Sequence, residues 1–420
     1  MKQKGFVLLP ILIIAALIAG AVFSLKTTLG KKVGVKLGLN APVCPKNLSG
    51  ILTYPLMEPE YIAALTPLGN INPPGHTSPV DHVYFETNYD GKIPMGAPAD
   101  AIITSITTIS KEKTPGEYVV EGYTIKYVIC DGLELDFAGY NDVVDSIKQK
   151  IVQMGEKDCQ RDIKKDGHGE SAEGQCYYRV NIPVKSGEQI GWVWRVPHPE
   201  TGDLTLPFEI WAANYNVDPP KQTNWKYYND DRYAHIMCPF DLYEDNLKNQ
   251  FYAKFGRWEN QAKDVDGKKV VDTSLPGHFV ARNGEPMCGQ VDQDITGTIQ
   301  GMWFSKPTPT DDYNAKFDGG LAFLHNNIDV TLGEISVGGD LAGGKAGVIF
   351  FQPTHRGTFN REPSEIKATG TIYCYDTSGQ WYPQGMFLVQ LEDDHHLKAE
   401  IKSGVCGSEE TFSNPYSYER

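Results

Sequence analysis

A chain of 420 residues, 40% hydrophobic and 22% charged, is long enough for two or three domains and apolar enough to bury their cores. Its formal net charge of -14 argues against a nucleic-acid partner, because a phosphate backbone has to be met by an excess of Lys and Arg.

Lys2 and Lys4 precede an uncharged stretch from Gly5 to Phe23, and Lys26, Lys31 and Lys32 follow it. As a helix, that stretch is about long enough to cross ~30 Å of hydrocarbon. Pro10 near its start is tolerable in a membrane helix. A secretory signal cleaved near Ala19-Gly20-Ala21 is the competing reading. We take residues 1–23 as a retained anchor and residues 24–67 as a tether. Both readings place the bulk of the chain outside the cytoplasm, with the membrane as partner through the N-terminal helix.

The eight cysteines are Cys44, Cys130, Cys159, Cys176, Cys238, Cys288, Cys374 and Cys406. They are scattered, with no Cys-x-x-Cys pair, and in an exported chain that favours disulfides over a zinc cluster. Their number allows too many pairings for connectivity to be derived. Cys159 with Cys176 would close a polar loop, and Cys374 with Cys406 would brace the last strands.

From residue 69 onward the pattern is β-rich. A Gly/Pro/Asn cluster leads into alternating apolar residues at Val83 and Phe85. Ala101 to Ile109 is rich in β-branched residues and reads as a strand. Tyr118–Val120, Tyr123–Cys130 and Leu133–Phe137 read as further strands. Asn141 to Met154 has an N-cap and a one-sided apolar pattern, which predicts a helix. Residues 155–175 read as a polar loop. Cys176–Pro183, Gln189–Val196 and Phe208–Ala213 read as strands, and residues 214–240 as a long loop. Leu242 to Trp258 is expected to be helical within a connector spanning 241–290. Residues 291–406 form a second all-β module, a sandwich or barrel by strand spacing, followed by a tail over 407–420.

His76, Asp81 and His82 stand together at the start of the first long strand pattern. Neutral imidazole and carboxylate are the usual ligands of a catalytic zinc ion. The order His76, Asp81, strand, then Met95-Gly96-Ala97-Pro98-Ala99-Asp100-Ala101, resembles the lysostaphin-type zinc metallopeptidases, which cut peptidoglycan cross-bridges. Val184-Lys185-Ser186-Gly187-Glu188-Gln189-Ile190-Gly191 is similar to that family's turn before its last strands. Thr205-Leu206-Pro207-Phe208-Glu209 is similar to its closing His-Leu-His-Phe-Glu element. The likeness covers about residues 68–213 and implies a two-sheet antiparallel β sandwich or hybrid barrel over residues 68–240.

Against that pattern three imidazoles are missing. The third zinc ligand falls on Pro207, the first histidine of the same pair on Thr205, and the other catalytic histidine on Gly139. Catalytic zinc takes three protein ligands and a water, and hydrolysis needs a base for that water. His76, Asp81 and His82 remain as metal candidates. Asp81 and His82 are neighbours, though, and on a regular strand their side chains would point to opposite faces. No cofactor is therefore expected, with zinc as the alternative. His168, His235, His278, His325, His355 and the His395-His396 pair read as turn, surface or half-buried residues. Gly301-Met302-Trp303 resembles the Gly-x-Trp opening strand of lipocalin-like barrels, which would allow an apolar ligand in the barrel mouth.

The fold expected is mainly β: an N-terminal transmembrane helix, a lysostaphin-like sandwich, then a second all-β module. The function expected is non-catalytic binding or scaffolding at the cell wall, with a wall or envelope protein as partner. The alternatives are a zinc endopeptidase using His76 and Asp81, and a small-molecule carrier.

Overall fold

The computed structural model describes residues 41–420 apart from 74–75, 115–116, 156–157, 167–168, 198–203, 206–207, 221–230, 260–261, 266–267, 272–276, 306–318, 342, 344–345, 378–384 and 408–409. The expected anchor over 1–23, His168 and Pro207 lie outside the described residues. Among the described residues, no helix is long and apolar enough to cross a membrane.

Two-residue alternation builds the first unit. Its strands are β1 (Ala64–Thr66), β2 (Val83–Glu86), β3 (Ile93–Gly96), β4 (Ala101–Thr114), β5 (Glu117–Cys130), β6 (Leu133–Tyr140) and β7 (Asp142–Val143). The helix α1 (Asp145–Met154) follows. Then come β8 (Asp158–Asp166), β9 (Gly169–Val184), β10 (Gln189–Val193), β11 (Val196–Pro197), β12 (Leu204–Thr205) and β13 (Phe208–Asn214).

Eight of these strands form an antiparallel sheet in the order β1-β2-β13-β6-β5-β4-β9-β8, and β3-β10-β7 form a second sheet. Leu133, Leu135 and Phe137 of β6, Ile125 and Tyr127 of β5, and Phe208 and Ile210 of β13 share one core with Ile93, Met95, Ile190 and Val193 of the small sheet. Glu134 and Asp136 alternate with those apolar residues and so take the opposite face of the large sheet.

Between the units run α2 (Asp245–Tyr252), β14 (Gly256–Glu259), β15 (Ala262–Val265), β16 (Lys268–Val271) and β17 (His278–Ala281). The second unit is β18 (Gly301–Ser305), β19 (Gly320–His325), β20 (Gly333–Val337), β21 (Gly347–Phe351), β22 (Tyr373–Asp376), β23 (Gly385–Asp393), β24 (His396–Ser403) and β25 (Tyr416–Glu419). These pair as a meander in the order β21-β20-β19-β18-β25-β24-β23-β22, a nearly closed eight-stranded barrel.

Four expectations need correction. The segment assigned to a tether packs into the first core from Leu52 onward, through Leu56, Met57, Ile62 and Leu65. The polar loop over 155–175 is largely the β8–β9 ladder, in which Cys159 and Cys176 are direct cross-strand partners. The helix expected to reach Trp258 stops at Tyr252, and the connector carries the β14–β17 and β15–β16 ladders. A Cβ at Gly256 would lie 2.1 Å from the Val280 carbonyl, so that ladder tolerates only glycine there. The tail contributes β25, which joins β18 to β24 and brings the barrel round.

Four disulfides join Cys44 to Cys130, Cys159 to Cys176, Cys238 to Cys288, and Cys374 to Cys406. The second and fourth are the two pairings expected from the sequence.

The barrel interior is filled. Trp303, Phe323, Tyr375 and Phe387 are each 0% exposed and belong to one cluster. The Gly-x-Trp tryptophan therefore serves as core. Its indole N–H donates to the Ile299 carbonyl at 2.8 Å. The Arg420 guanidinium lies 4.2 Å over its ring and donates to the carbonyls of Gln300 and Thr298.

Glu334 sits buried in β20, and Asn326 donates a hydrogen bond to it. Burial pushes its carboxyl up to about 7, against the opposing effect of that hydrogen bond. The folded chain thus keeps a proton that the unfolded chain loses above the ordinary value of 4.5. Stability should fall as pH rises from about 4.5 to 7, by up to roughly 3 kcal/mol from this group. In Glu334→Gln that slope should disappear from urea unfolding curves recorded across the same window.

Candidate functional site

The loop before β2 is fixed at both ends by main-chain hydrogen bonds. The Gly69 N–H donates to the Val80 carbonyl at 2.8 Å, and the Val80 N–H to the Asn70 carbonyl at 2.9 Å. Asn72 and His76 exchange hydrogen bonds across the loop. Gly69 has φ +81°, and a Cβ there would meet the Gln290 carbonyl at 2.2 Å. This close approach presses the loop against the connector.

Asp81 and His82 sit in the bend just ahead of β2, so the alternation of a pleated strand does not apply to them. They face each other instead of opposite sides. His82 Nδ1 lies 2.8 Å from Asp81 Oδ1, and both side chains are buried. The His76 ring stands edge-on to the His82 ring, 5.6 Å between centroids. The structure therefore brings the three candidate residues together.

What surrounds them was not expected. Glu209 on β13 reaches to 3.4 Å from His82 Nε2. Arg232, in the short 3-10 turn Asp231–His235, places one terminal nitrogen 3.2 Å from Asp81 Oδ2 and the other 3.3 Å from Asp136 Oδ2. Lys126 on β5 lies 3.5 Å from Asp136 and 3.0 Å from Glu134. One continuous chain of charge results: Glu209, His82, Asp81, Arg232, Asp136, Lys126, Glu134. Trp211 floors it, with the Arg232 guanidinium 5.0 Å over its ring and the His82 ring 4.8 Å away.

Strand register sets this chain. Trp211 pairs with Asp136 across β13 and β6, and Asp136 pairs with Lys126 across β6 and β5, so the three share one face.

The carboxyl groups respond differently. Burial alone would raise Asp81, yet the His82 hydrogen bond and the Arg232 charge bring it below the usual carboxylate value. Burial dominates at Asp136 and raises it despite Lys126 and Arg232. Glu209 is also raised by burial, with His82 opposing. Burial lowers His76, and nearby His82 acts in the same direction.

These residues do not fit a zinc ion. Asp81 has one oxygen against His82 and the other against the Arg232 guanidinium. A divalent cation at Asp81 would sit beside a permanent positive charge. Among the described residues, no group of three His, Cys, Asp or Glu is arranged to hold a metal.

Of the other positions that the resemblance singled out, Pro207 is outside the described residues, and Thr205 lies on β12, which pairs with β11. Gly139 is the extra residue where β5 and β6 slip register, between the pairs Tyr123–Tyr140 and Thr124–Ala138. Its φ of +95° is a conformation that favours glycine and strains a histidine.

Two signals in the sequence bear on the charge chain. Glu134 and Asp136 alternate with apolar residues in a strand, which puts them on one polar face but does not show that this face is covered. Glu209 belongs to the Phe-Glu pair of the resemblance. Arg232 gave no such signal within its aperiodic stretch.

No family model, curated protein or solved structure matches this chain, so the site is read from its own geometry. Removing the central cation should leave buried Asp81 with His82 alone and buried Asp136 with Lys126 alone. Arg232→Met is expected to cost about 3–5 kcal/mol at neutral pH. Without their cation, Asp81 and Asp136 should hold protons more tightly when folded than when unfolded. The deficit should therefore shrink as pH falls toward about 4. Denaturant unfolding of both proteins at pH 7 and pH 4 checks this.

Proposed function

We propose that the chain is a membrane-anchored, extracytoplasmic binding protein. Its first β unit is a peptidase-like groove that holds cell-wall peptide without cutting it. The observation that carries this reading is the Arg232 guanidinium bound to Asp81 and Asp136. In the family this unit resembles, the matching aspartate serves the metal. Here a fixed organic cation takes that carboxylate, and a guanidinium supplies neither a Lewis acid nor an activated water.

The kinship is supported by strand adjacency. The His76–His82 loop runs into β2, the Phe208-Glu209 element opens β13, and Phe137–Tyr140 ends β6. These three strands are neighbours in the order β2-β13-β6. Loss of chemistry is supported by Gly139, whose backbone conformation disfavours the histidine expected there. Four disulfides fit an oxidising compartment outside the cytoplasm. The net charge of -14 keeps nucleic acid out of the proposal.

The test uses full-length protein in detergent and purified peptidoglycan sacculi. The protein should pellet with the sacculi and release no soluble muropeptides, with or without added zinc. Release that a chelator abolishes would overturn the reading.

A further inference from the structure

The two outer faces of the first unit differ in character. The charge chain lies on the large sheet, on the face away from the core. On the small sheet Ile93, Met95 and Val193 point into the core, so Pro94 and Trp192 alternate to the outside. Pro94 and Trp192 are direct cross-strand partners, and Asp142 pairs with Trp192 from the other side. Trp194 lies one alternation further along, and its main-chain N–H donates to Asn141 Oδ1 at 2.7 Å. Lys92, next to Ile93, places its Nζ 4.9 Å over the Trp194 ring. Both indoles are half-buried and Pro94 is exposed, so this face meets solvent. We propose that it docks on a bilayer surface carrying anionic headgroups.

The first argument is composition. Indole and phenol carry an apolar ring with one polar group, and they favour the depth of lipid headgroups. Tyr89 stands at the rim, 42% exposed, with its ring 4.9 Å from that of Tyr61. A hollow of about 330 Å³ opens beside Trp194, lined by Asp90, Gly91, Lys92 and Arg195. The second argument is charge. Arg195 lies 3.2 Å from Asp90, and Lys148 of α1 lies 2.7 Å from Asp142. Both carboxylates of this face are thus held by cations. Lys92 meets no carboxylate among the described residues, and it leaves the face a cation richer in a chain whose net charge is -14. Aromatic rings beside a lysine match the headgroup region of an anionic leaflet.

The third argument is reach, and it rests on the membrane anchoring of the proposed function. The bond from Cys44 to Cys130 ties the chain to the fold. Residues 24–43, fully extended, reach at most about 70 Å. An anchored fold therefore stays close to the bilayer and meets it at high local concentration, where a weak patch suffices. The two outer faces oppose each other across one core. Setting the tryptophans on lipid turns the Arg232 chain away from the membrane, toward the wall.

The experiment reconstitutes full-length protein in vesicles of phosphatidylcholine and phosphatidylglycerol, with acyl chains brominated near the headgroup or left plain. Bromine quenches indole fluorescence on close approach. The chain's tryptophans all lie from Trp192 onward, so the signal reports the folded part and not residues 1–23. Flotation of the same vesicles reports anchoring separately. The expected result is partial quenching that disappears in the Trp192→Phe/Trp194→Phe double variant. Lys92→Gln should lower the ratio of docked to undocked protein about fivefold, the effect of one cation at an anionic surface. Thermal unfolding of each variant separates lost docking from lost fold. Protein that floats with the vesicles but is not quenched overturns the proposal and leaves anchoring standing. Quenching that survives the double variant also overturns it. Unquenched emission that instead shifts with soluble wall glycan, or with protein concentration, gives the face to a polysaccharide or a second copy, and the proposal fails. Protein that does not float overturns the anchoring, and this proposal with it.

Discussion

One arginine between two buried aspartates organises the first unit. Arg232 joins Asp81, from the loop ahead of β2, to Asp136, from the middle of β6. Two carboxylates buried close together would repel each other and shed their charge unless a cation stood between them. Planar guanidinium suits this task, because it offers nitrogens to two partners at once and does not lose its proton. Lys126 extends the same logic to Glu134. A site that in the resembled family would gather ligands around a metal is here gathered around side chains of the chain itself.

The rest of the fold puts the site where it is. β2, β13, β6 and β5 are consecutive neighbours, so residues far apart in sequence fall into one row. The apolar face of the same strands is committed to the core against the small sheet. Polar residues at the alternate positions have only the other face to occupy. The loop before β2 is pinned by the Gly69 and Val80 hydrogen bonds and by its close approach to Gln290. This fixes His76 beside His82. The Gly139 bulge ends the row, where only a residue without a side chain sits comfortably.

Legibility in the sequence followed the range of the interactions. Ala101–Ile109 was readable because it is rich in β-branched residues, and Leu133–Phe137 because polar and apolar residues alternate locally. The Cys159–Cys176 pair was readable because the two residues are close in sequence. Cys44 and Cys130 are 86 residues apart, and no local pattern links them. The β8–β9 ladder escaped notice because its residues are polar and its hydrogen bonds are all cross-strand. Asp81 and His82 were assigned opposite faces by a rule for regular strands, and the bend ahead of β2 removed the premise. Arg232 was invisible for the plainest reason: its partners are 151 and 96 residues upstream in sequence, counted from Asp81 and Asp136. The resemblance singled out His76 and Asp81, and the structure adds Arg232 beside Asp81.

The central claim of the proposed function is that an internal guanidinium occupies the carboxylate that a metal would need. Elemental analysis of full-length protein, purified without chelator and equilibrated with zinc, tests it most directly. The account predicts zinc far below stoichiometric. About one tightly held equivalent per chain, lost on His76→Ala, would contradict it.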